Sequence, residues 1–471
     1  MILRKRLYVV AMAGVAIAQP TAHGGAVRSS LARRRAAAGL VGALVVGNAV
    51  GITWLWVHGG NLTVHSTGAL LTSIGRLTGL QSAYLALIQV ILLARVPALE
   101  RVVGFDRLTR WHRWNGHICI DLVVAHVVFT VWGYALLDKY TLGKEISTML
   151  GGGIYPGMIT ATVGTALMIG VVATSLVIVR RRLSYEWWYT VHLMAYAGIA
   201  LSWFHEIPTG NELVLDRIAA DYWRGLFIAT IVVLVGFRLL VPAVGAFRHR
   251  LRVAQVTEEA QDVVSVTITG RNLERLSARA GQFFLWRFLD RRHIWSAHPF
   301  SLSAAPDGRS LRITVKALGD HTARLGDLRP GTRVVAEGPL GVFTEDLRRR
   351  EKAVLIAGGI GITPIRALFE TMHGELVVLY RVVSEEDIVF RDELEQLAAE
   401  RGAVVHFVVG DHRAGGRDLL SPSHLIELVP DIAERDVFLC GPPAMIDVID
   451  KNLRRAHVPR RNVHAERFAL I

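Results

Sequence analysis

The chain has 471 residues, 53 of them Lys or Arg against 40 Asp or Glu, for a formal charge of +13. A nucleic-acid reading of that excess is poor, because the arginines cluster beside apolar runs, where they set topology and meet anionic lipid. Its two cysteines, Cys119 and Cys440, cannot supply a disulfide framework, a thiolate zinc site or a four-cysteine iron–sulfur cluster.

Long apolar runs dominate residues 1–245 and ordinary soluble composition follows, so a membrane half precedes a globular half. At the N-terminus, Arg4-Lys5-Arg6, an apolar run and the small residues Ala16 and Ala18 imitate a signal peptide. Arg33-Arg34-Arg35, directly before the next apolar run, marks a cytoplasmic point instead, and residues 1–35 read as a cytoplasmic extension. Six spans are predicted near Ala36–Val57, Leu77–Val96, His112–Leu136, Gly157–Val179, Trp187–His205 and Tyr222–Val241. The segments Arg33–Arg35, Arg95–Arg113, Arg180–Arg182 and Arg248–Arg252 are strongly basic. The alternate segments, around His58–Thr67, Asp138–Pro156 and Glu206–Asp216, carry few Lys or Arg. Basic segments face the cytoplasm, so both ends lie there and the third and fifth spans run in the same direction.

Each of those two spans carries a pair of histidines. His112 and His126 are 14 residues apart, and His192 and His205 are 13 apart. Such separations rise about 21 and 20 Å along a helix, most of a hydrocarbon core roughly 30 Å thick. A neutral imidazole in lipid is costly without a partner, and a metal is the partner it takes most readily. Parallel spans pair His112 with His192 toward the cytoplasm and His126 with His205 toward the outside, which describes two stacked metal centres. A hydrogen-bonded membrane histidine or a proton path is the plain alternative for any one pair; two matched pairs weigh against it. At about 100° per residue, His126 falls about 40° from His112, on one face. His205 falls about 140° from His192, so the fifth helix must bend, loosen near Gly198 or end before His205. His117 faces away from His112 and His126, and His58 and His65 read as solvated surface beside an outer loop.

Beyond Arg252 come short alternating strands, Val263–Ile268, Phe283–Phe288, Leu311–Val315 and Val334–Glu337, which predict a small antiparallel barrel. It contains His298-Pro299-Phe300-Ser301-Leu302-Ser303 and, later, Gly338-Pro339-Leu340-Gly341. Between them, the amides from Gly319 to Thr322 open a short helix in a way that suits a pyrophosphate. Past Glu351 strand alternates with helix. Val354–Ala357 runs into Gly358-Gly359-Ile360-Gly361-Ile362-Thr363-Pro364, with Thr363 predicted as a helix N-cap and Pro364 as the first helical residue. Strand, phosphate loop and helix is the order a dinucleotide requires, although a tight structural turn would read alike. Strand Leu376–Tyr380 ends at Arg381, whose guanidinium suits a ribose 2′-phosphate, and strand Val437–Leu439 delivers Cys440-Gly441-Pro442-Pro443.

Together these motifs resemble the ferric reductase/NADPH oxidase family over roughly residues 36–471. Members share the 14 and 13 histidine spacings and the histidine-headed flavin motif seen here as His298–Ser301. The resemblance implies a six-helix membrane bundle (36–245), an antiparallel β-barrel FAD domain (246–346) and an α/β NAD(P)-binding domain (347–471). It further implies two b-type haems on the four paired histidines. FAD would sit with His298, Pro299, Phe300 and Ser301 near its ring and with Gly319 and Thr322 at its phosphate. Gly358, Gly359, Gly361, Thr363 and Pro364 would cradle the nicotinamide nucleotide, with Cys440 and Gly441 near the hydride path. Glu466-Arg467-Phe468 matches the near-terminal aromatic that covers the flavin, but Ala469-Leu470-Ile471 trail beyond it. Arg76 matches an arginine near the outer haem of NADPH oxidases, with a snorkelling boundary arginine as the plain account. Thr130 stands where those oxidases carry a further histidine, which counts against direct oxygen reduction.

The expected activity is therefore that of a plasma-membrane flavocytochrome oxidoreductase with both termini cytoplasmic. It would take electrons from NADPH, with NADH as the alternative because Arg381 alone favours NADPH. The acceptor would lie outside, a ferric chelate or oxygen. A superoxide-generating oxidase and an electron-donating subunit for a partner protein or quinone are the competing readings. A haem sensor without turnover would not need the FAD and nucleotide motifs.

Overall fold

The computed structural model describes residues 23–468 except 152–154, 181, 184, 210–212, 215, 295–296 and 411–418. The first half is helical, because an apolar chain in lipid must satisfy its backbone polar groups within each segment. Its long helices are α1 (His23–Trp56), α2 (Thr67–Leu92), α3 (Phe105–Asp138), α4 (Met158–Ser175), α5 (Tyr185–Thr209) and α6 (Arg217–Val235). Local chemistry sets several ends. The Ser66 side chain accepts the Ala69 N–H at the start of α2, and Asp216 accepts from Ile218 and Ala219 at the start of α6. A left-handed Arg95 (φ 62°) turns the chain after α2, and the short helix Pro97–Val103 leaves it at 90°. The second span thus occupies Thr67–Leu92, earlier than its apolar run suggests. Of the expected N-terminal extension, residues 1–22 lie outside the described residues, and 23–35 already belong to α1.

Among the described residues, four helical stretches are long and apolar enough to cross a membrane: Ala36–Asn61, Arg107–Asp138, Met158–Ser175 and Arg217–His249. The bent pair Thr67–Leu92 and Pro97–Val103 makes a fifth if counted as one span. Helix α5 has 25 residues, but Trp187, Trp188, Tyr189, His192 and His205 dilute its apolarity, so the expected count of six is not reached on that measure. Packing is pairwise: α2 lies along α3 and α4 along α5. Small residues permit the close approach. A Cβ at Gly133 would fall 2.7 Å from the Thr72 nitrogen, and one at Gly164 would fall 2.7 Å from the Gly198 carbonyl.

The soluble half begins with six antiparallel strands. Strands β1 (Arg252–Ala260), β2 (Val263–Thr269) and β5 (Ser310–Lys316) form one sheet; β4 (His298–Ser301), β3 (Phe283–Phe288) and β6 (Val334–Leu340) form another. They share a core containing Phe284, Trp286, Phe288, Leu302 and Ile313. The expected barrel takes the form of two three-stranded sheets joined at their edges by the single bridges Arg252–Arg333 and Leu302–Ile313.

A five-stranded parallel sheet follows, ordered β11 (Val463–Arg467), β10 (Asp436–Gly441), β7 (Ala353–Gly358), β8 (Leu376–Val382) and β9 (Val404–Val409). Strands β7 and β10 are buried along their whole length, as continuous apolar strands covered on both faces should be. Helices α7 (Ile362–Thr371), α8 (Arg391–Arg401) and α9 (Pro443–Arg455) belong to this unit.

Ion pairs tie the two soluble units together. Arg312 on β5 meets both oxygens of Glu393 on α8 at 2.7 and 2.8 Å, and Arg366 on α7 reaches the same carboxylate at 2.8 Å. Burial opposes charge on Glu393, but Arg312 and then Arg366 outweigh it and hold the carboxyl below its ordinary value. A group with a depressed folded pKa contributes fully above its unfolded value, about 4.3, and loses that contribution as pH falls through the folded pKa. Glu393→Ala is expected to cost about 1–2 kcal/mol at pH 7, discounted for partial exposure. That corresponds to a fall of about 2–8 °C in the melting temperature of the soluble half. Thermal melts of both proteins at pH 7 and pH 4 check this, with the gap narrowing at the lower pH.

Candidate functional site

Helices α3 and α5 bring His112 and His192 face to face. Their ring centroids lie 6.0 Å apart with planes inclined at 52°. An imidazole–metal–imidazole axis with bonds of about 2.0–2.1 Å sets ring centroids roughly 6 Å apart, so this pair suits a metal held between them. His126 and His205 lie within electrostatic reach of one another at the other end. No group of three or more His, Cys, Asp or Glu able to hold a metal occurs among the described residues, so the donor set is one of histidine pairs.

Every one of the four rings has Nδ1 anchored by a neighbour. His112 Nδ1 lies 3.1 Å from the Gln89 carbonyl and His126 Nδ1 2.7 Å from the Gly75 carbonyl, both on α2. Ser175 Oγ lies 3.4 Å from His192 Nδ1 and Thr209 Oγ1 3.0 Å from His205 Nδ1. Thr209 also stands 3.5 Å from His205 Nε2, a marginal contact. Anchoring one ring nitrogen selects the tautomer and leaves the other as the metal-facing atom. Gln89 is tied in place by its own amide, which donates to the His112 carbonyl at 2.8 Å and accepts from Asn115 at 2.7 Å. Gly79 makes room for His126: a Cβ there would fall 2.6 Å from Nδ1.

These partners were not read from sequence, although two signals existed. Gln89 is polar inside an apolar run, and Gly75 and Gly79 stand one helical turn apart. His205 lies within α5, which runs on to Thr209, so the helix does not end before it. The irregularity falls at Pro208, which cannot donate to the Phe204 carbonyl, rather than at Gly198, where α5 packs on α4. His117 is exposed. Thr130 Oγ1 stands 3.4 Å from His126 Nδ1, and Arg76 donates to Asn61 Oδ1 at 3.2 Å.

In the first soluble unit, β4 pairs with β3 so that Ser301 lies opposite Phe283 and His298 opposite Trp286. Ser301 is buried, and His298 and Phe300, two residues apart on one face, stack at 6.3 Å and 17°, flanking Pro299 on the other face. The phosphate expectation at Gly319 needs correction. Thr322 Oγ1 accepts from the Leu318 and Gly319 amides at 2.9 and 3.1 Å, so the Gly319 N–H is spent within the turn.

In the second unit, β7 ends at Gly358, and Gly359 (φ 52°) starts a turn that runs into α7 at Ile362. The glycines allow that turn to lie against the end of β10. A Cβ at Gly358 would fall 2.3 Å from Met445 Cε, and one at Gly361 2.4 Å from the Cys440 carbonyl oxygen. Thr363 is therefore not the N-cap: Gly361 is, and Thr363 sits buried in the first turn, donating to the Ile360 carbonyl at 3.1 Å. Pro364 follows within the same turn, where an N–H has no helical partner to lose.

Cys440 and Phe468 come together because β10 and β11 are in parallel register, Gly441 opposite Arg467, and the Phe468 N–H donates to the Gly441 carbonyl at 3.3 Å. Cys440 is fully buried; burial and then Glu466 push its thiol well above the ordinary value, so it is a neutral thiol near pH 7. Residues 469–471 lie outside the described residues. Arg381 stands opposite Gly358 across the sheet, but its guanidinium donates to the Val382 and Val408 carbonyls instead of reaching outward.

Three family profiles match in chain order: a ferric reductase like transmembrane component at 78–203, an FAD-binding domain at 248–343 and an oxidoreductase NAD-binding domain at 355–451. Among curated proteins, ferredoxin–NADP reductase B of Sorangium cellulosum is 31% identical over 188 residues, 36% of this chain and 77% of that protein. The ferredoxin reductase component of 3-ketosteroid-9-alpha-monooxygenase from Mycolicibacterium smegmatis is 31% identical over 242 residues, 48% of this chain and 66% of that protein. NADH oxidoreductase HCR of Escherichia coli is 26% identical over 224 residues, 45% of this chain and 66% of that protein. The chain thus spans just under two-thirds of the length of the latter two. The order of the three matched modules shows that the chain belongs to the ferric reductase/NADPH oxidase family, as a ferric reductase-like transmembrane component fused to FAD- and NAD-binding reductase domains, and that it is an NAD(P)H-dependent oxidoreductase.

Proposed function

We propose that the chain carries reducing equivalents from cytoplasmic NADPH to an acceptor outside the plasma membrane, with FAD in the soluble half and two b-type haems in the membrane half. The observation that carries this reading is the 6.0 Å facing of His112 and His192, in a chain whose other half matches FAD- and NAD-binding modules. Bound FAD would supply the split of a two-electron hydride into single electrons, and bound haem one-electron shuttling. His112 with His192, and His126 with His205, would be the axial ligands. Anchored Nδ1 atoms fix each ring before any metal arrives. Two histidines per iron leave no axial position free, so the acceptor must meet the protein elsewhere. In the soluble half, Ser301 would lie by the flavin, and Phe468 would cover the place where nicotinamide stacks. Cys440, held as a buried neutral thiol, would border the hydride path without competing as a nucleophile.

A ferric chelate is favoured over oxygen as acceptor because Thr130 stands where a further histidine would be. An electron-donating role toward a partner protein is the second reading, supported by the monooxygenase reductase component among the relatives of the soluble half. Relatives are named for both NADP and NADH, so the preference for NADPH rests on Arg381.

His112→Ala or His126→Ala is expected to remove about half of the b-type haem absorbance in dithionite-reduced membranes; full retention in both variants would sink the scheme. Superoxide formation and ferric-chelate reduction, measured side by side with NADPH, separate the acceptor readings. Arg381→Ala should raise the KM for NADPH about tenfold, a loss of roughly 1.4 kcal/mol, and leave that for NADH little changed. Equal effects on both nucleotides would refute the preference.

A further inference from the structure

The outer connection between α3 and α4 contains a carboxylate that the electron path does not use. Glu145, on the short helix Leu142–Gly151, is 0% exposed, and neither of its side-chain oxygens has a hydrogen-bond partner. A buried carboxylate without a donor is strongly disfavoured, so the site is built to receive positive charge or to hold a proton. Its surroundings are oxygen donors. Asp138, exposed at the end of α3, and Tyr155 are within electrostatic reach of Glu145, and Tyr134 meets Tyr155 with ring centroids 5.7 Å apart. Lys144 does not neutralise Glu145; its ammonium lies over the Tyr140 ring, 5.9 Å from the centroid. Burial and then Asp138 push the Glu145 carboxyl above its ordinary range, as expected of a carboxyl short of positive charge.

The group also lies next to the outer histidine. Tyr155 is followed by Pro156 and Gly157, and Gly157 packs so tightly on α5 that a Cβ there would fall 2.3 Å from the Phe204 carbonyl and 2.8 Å from the His205 nitrogen. Three residues therefore separate a phenol of the cluster from the backbone that carries His205. Carboxylate and phenol oxygens are the ligands a small, highly charged cation selects over softer donors.

We propose that Glu145, Asp138, Tyr134 and Tyr155 form an outward-facing oxygen-donor site that seats the ferric ion of an external chelate as the electron acceptor. This rests on the proposed transmembrane electron path. The step balances as a one-electron change: ferric ion gains one electron, originating from NAD(P)H, and becomes ferrous ion. A phenol or protonated carboxyl that binds the metal gives its proton to water and regains one on release. The ferrous ion, with lower charge, is held less strongly by the same oxygens and leaves.

Gallium(III), a redox-inert ion of the same charge and similar size, is the probe. It would be supplied as its nitrilotriacetate complex to the purified full chain in detergent and followed by calorimetry and intrinsic fluorescence. Wild-type protein should bind it, and Glu145→Gln and Tyr155→Phe should each weaken binding at least tenfold. Asp138→Asn, at the exposed rim, should weaken it a few-fold. Haem content in each variant reports whether the membrane half has folded. Absence of gallium binding to wild type, or unchanged binding in both Glu145→Gln and Tyr155→Phe, would overturn the site. So would loss of oxygen reduction in Glu145→Gln with gallium affinity intact, which would assign Glu145 to proton delivery. Failure of NADPH to reduce wild-type haem anaerobically would strike the proposed electron path instead, a result independent of the gallium titration.

Discussion

An imidazole buried in lipid must satisfy two ring nitrogens at once, and the membrane half is organised around that constraint. Each unmet buried polar group costs about 1–3 kcal/mol, so four unsupported rings would remove most of the stability of an ordinary domain. For His112 and His126 the protein answers with backbone carbonyls of α2, at Gln89 and Gly75. Carbonyls within a helix already accept a helical bond, and each has a second lone pair to offer. Reaching them requires α2 and α3 to lie close, which explains why Gly68, Gly75, Gly79 and Gly133 stand where a Cβ would collide. The small residues thus serve the rings as much as the helix packing.

The same half must present its inner end to the soluble units. Arg95, turned left-handed where α2 ends, pairs with Glu337 on β6, and Phe105 at the start of α3 meets Phe283 on β3 edge to face at 6.0 Å. Phe283 is also the register partner of Ser301 in the flavin motif. A single strand pair therefore links the start of the helix that carries His112 to the proposed flavin seat. On the far side of that unit, the Glu393 ion cluster fixes the parallel sheet, whose β7 and β10 ends bring the glycine turn, Cys440 and Phe468 to one edge. Ligands of open α/β sheets bind at the carboxyl ends of strands where connections diverge, and the central position of β7 makes this such a place.

Patterns with strong periodicity or exclusion were legible in the sequence. The apolar runs, the order of strands and helices, the glycine turn after β7 and the facing of His112 with His192 all follow from residue type and spacing. What was not legible depends on contacts between segments far apart in the chain. Thr363 has the side chain of an N-cap, but a 3₁₀ turn started by Gly359 carries the helix start two residues upstream. Gly319 looks free to bind phosphate until Thr322 folds back on its amide. The length of α5 was foreseen, yet its aromatic and histidine content leaves it too polar to pass as a membrane span by composition. Glu145 gave no signal at all, being one acidic residue in a loop segment whose burial depends on how the outer connection folds.

That last residue bears on why the outer connection is built as it is. Two histidines per haem close both axial positions, so an acceptor has to receive its electron at the haem edge or through protein beside it. Natural selection on such a chain can act on where the acceptor rests only through residues near His126 and His205. The backbone of Gly157 pressed against His205 provides that nearness, and Tyr155, two residues earlier, turns it toward the one buried carboxylate of the outer side that lacks a donor. An oxygen-reducing site would have no use for two carboxylates and two phenols gathered together, since oxygen carries no charge for them to neutralise. A trivalent cation does, and the cost of burying Glu145 is then offset whenever the acceptor is bound.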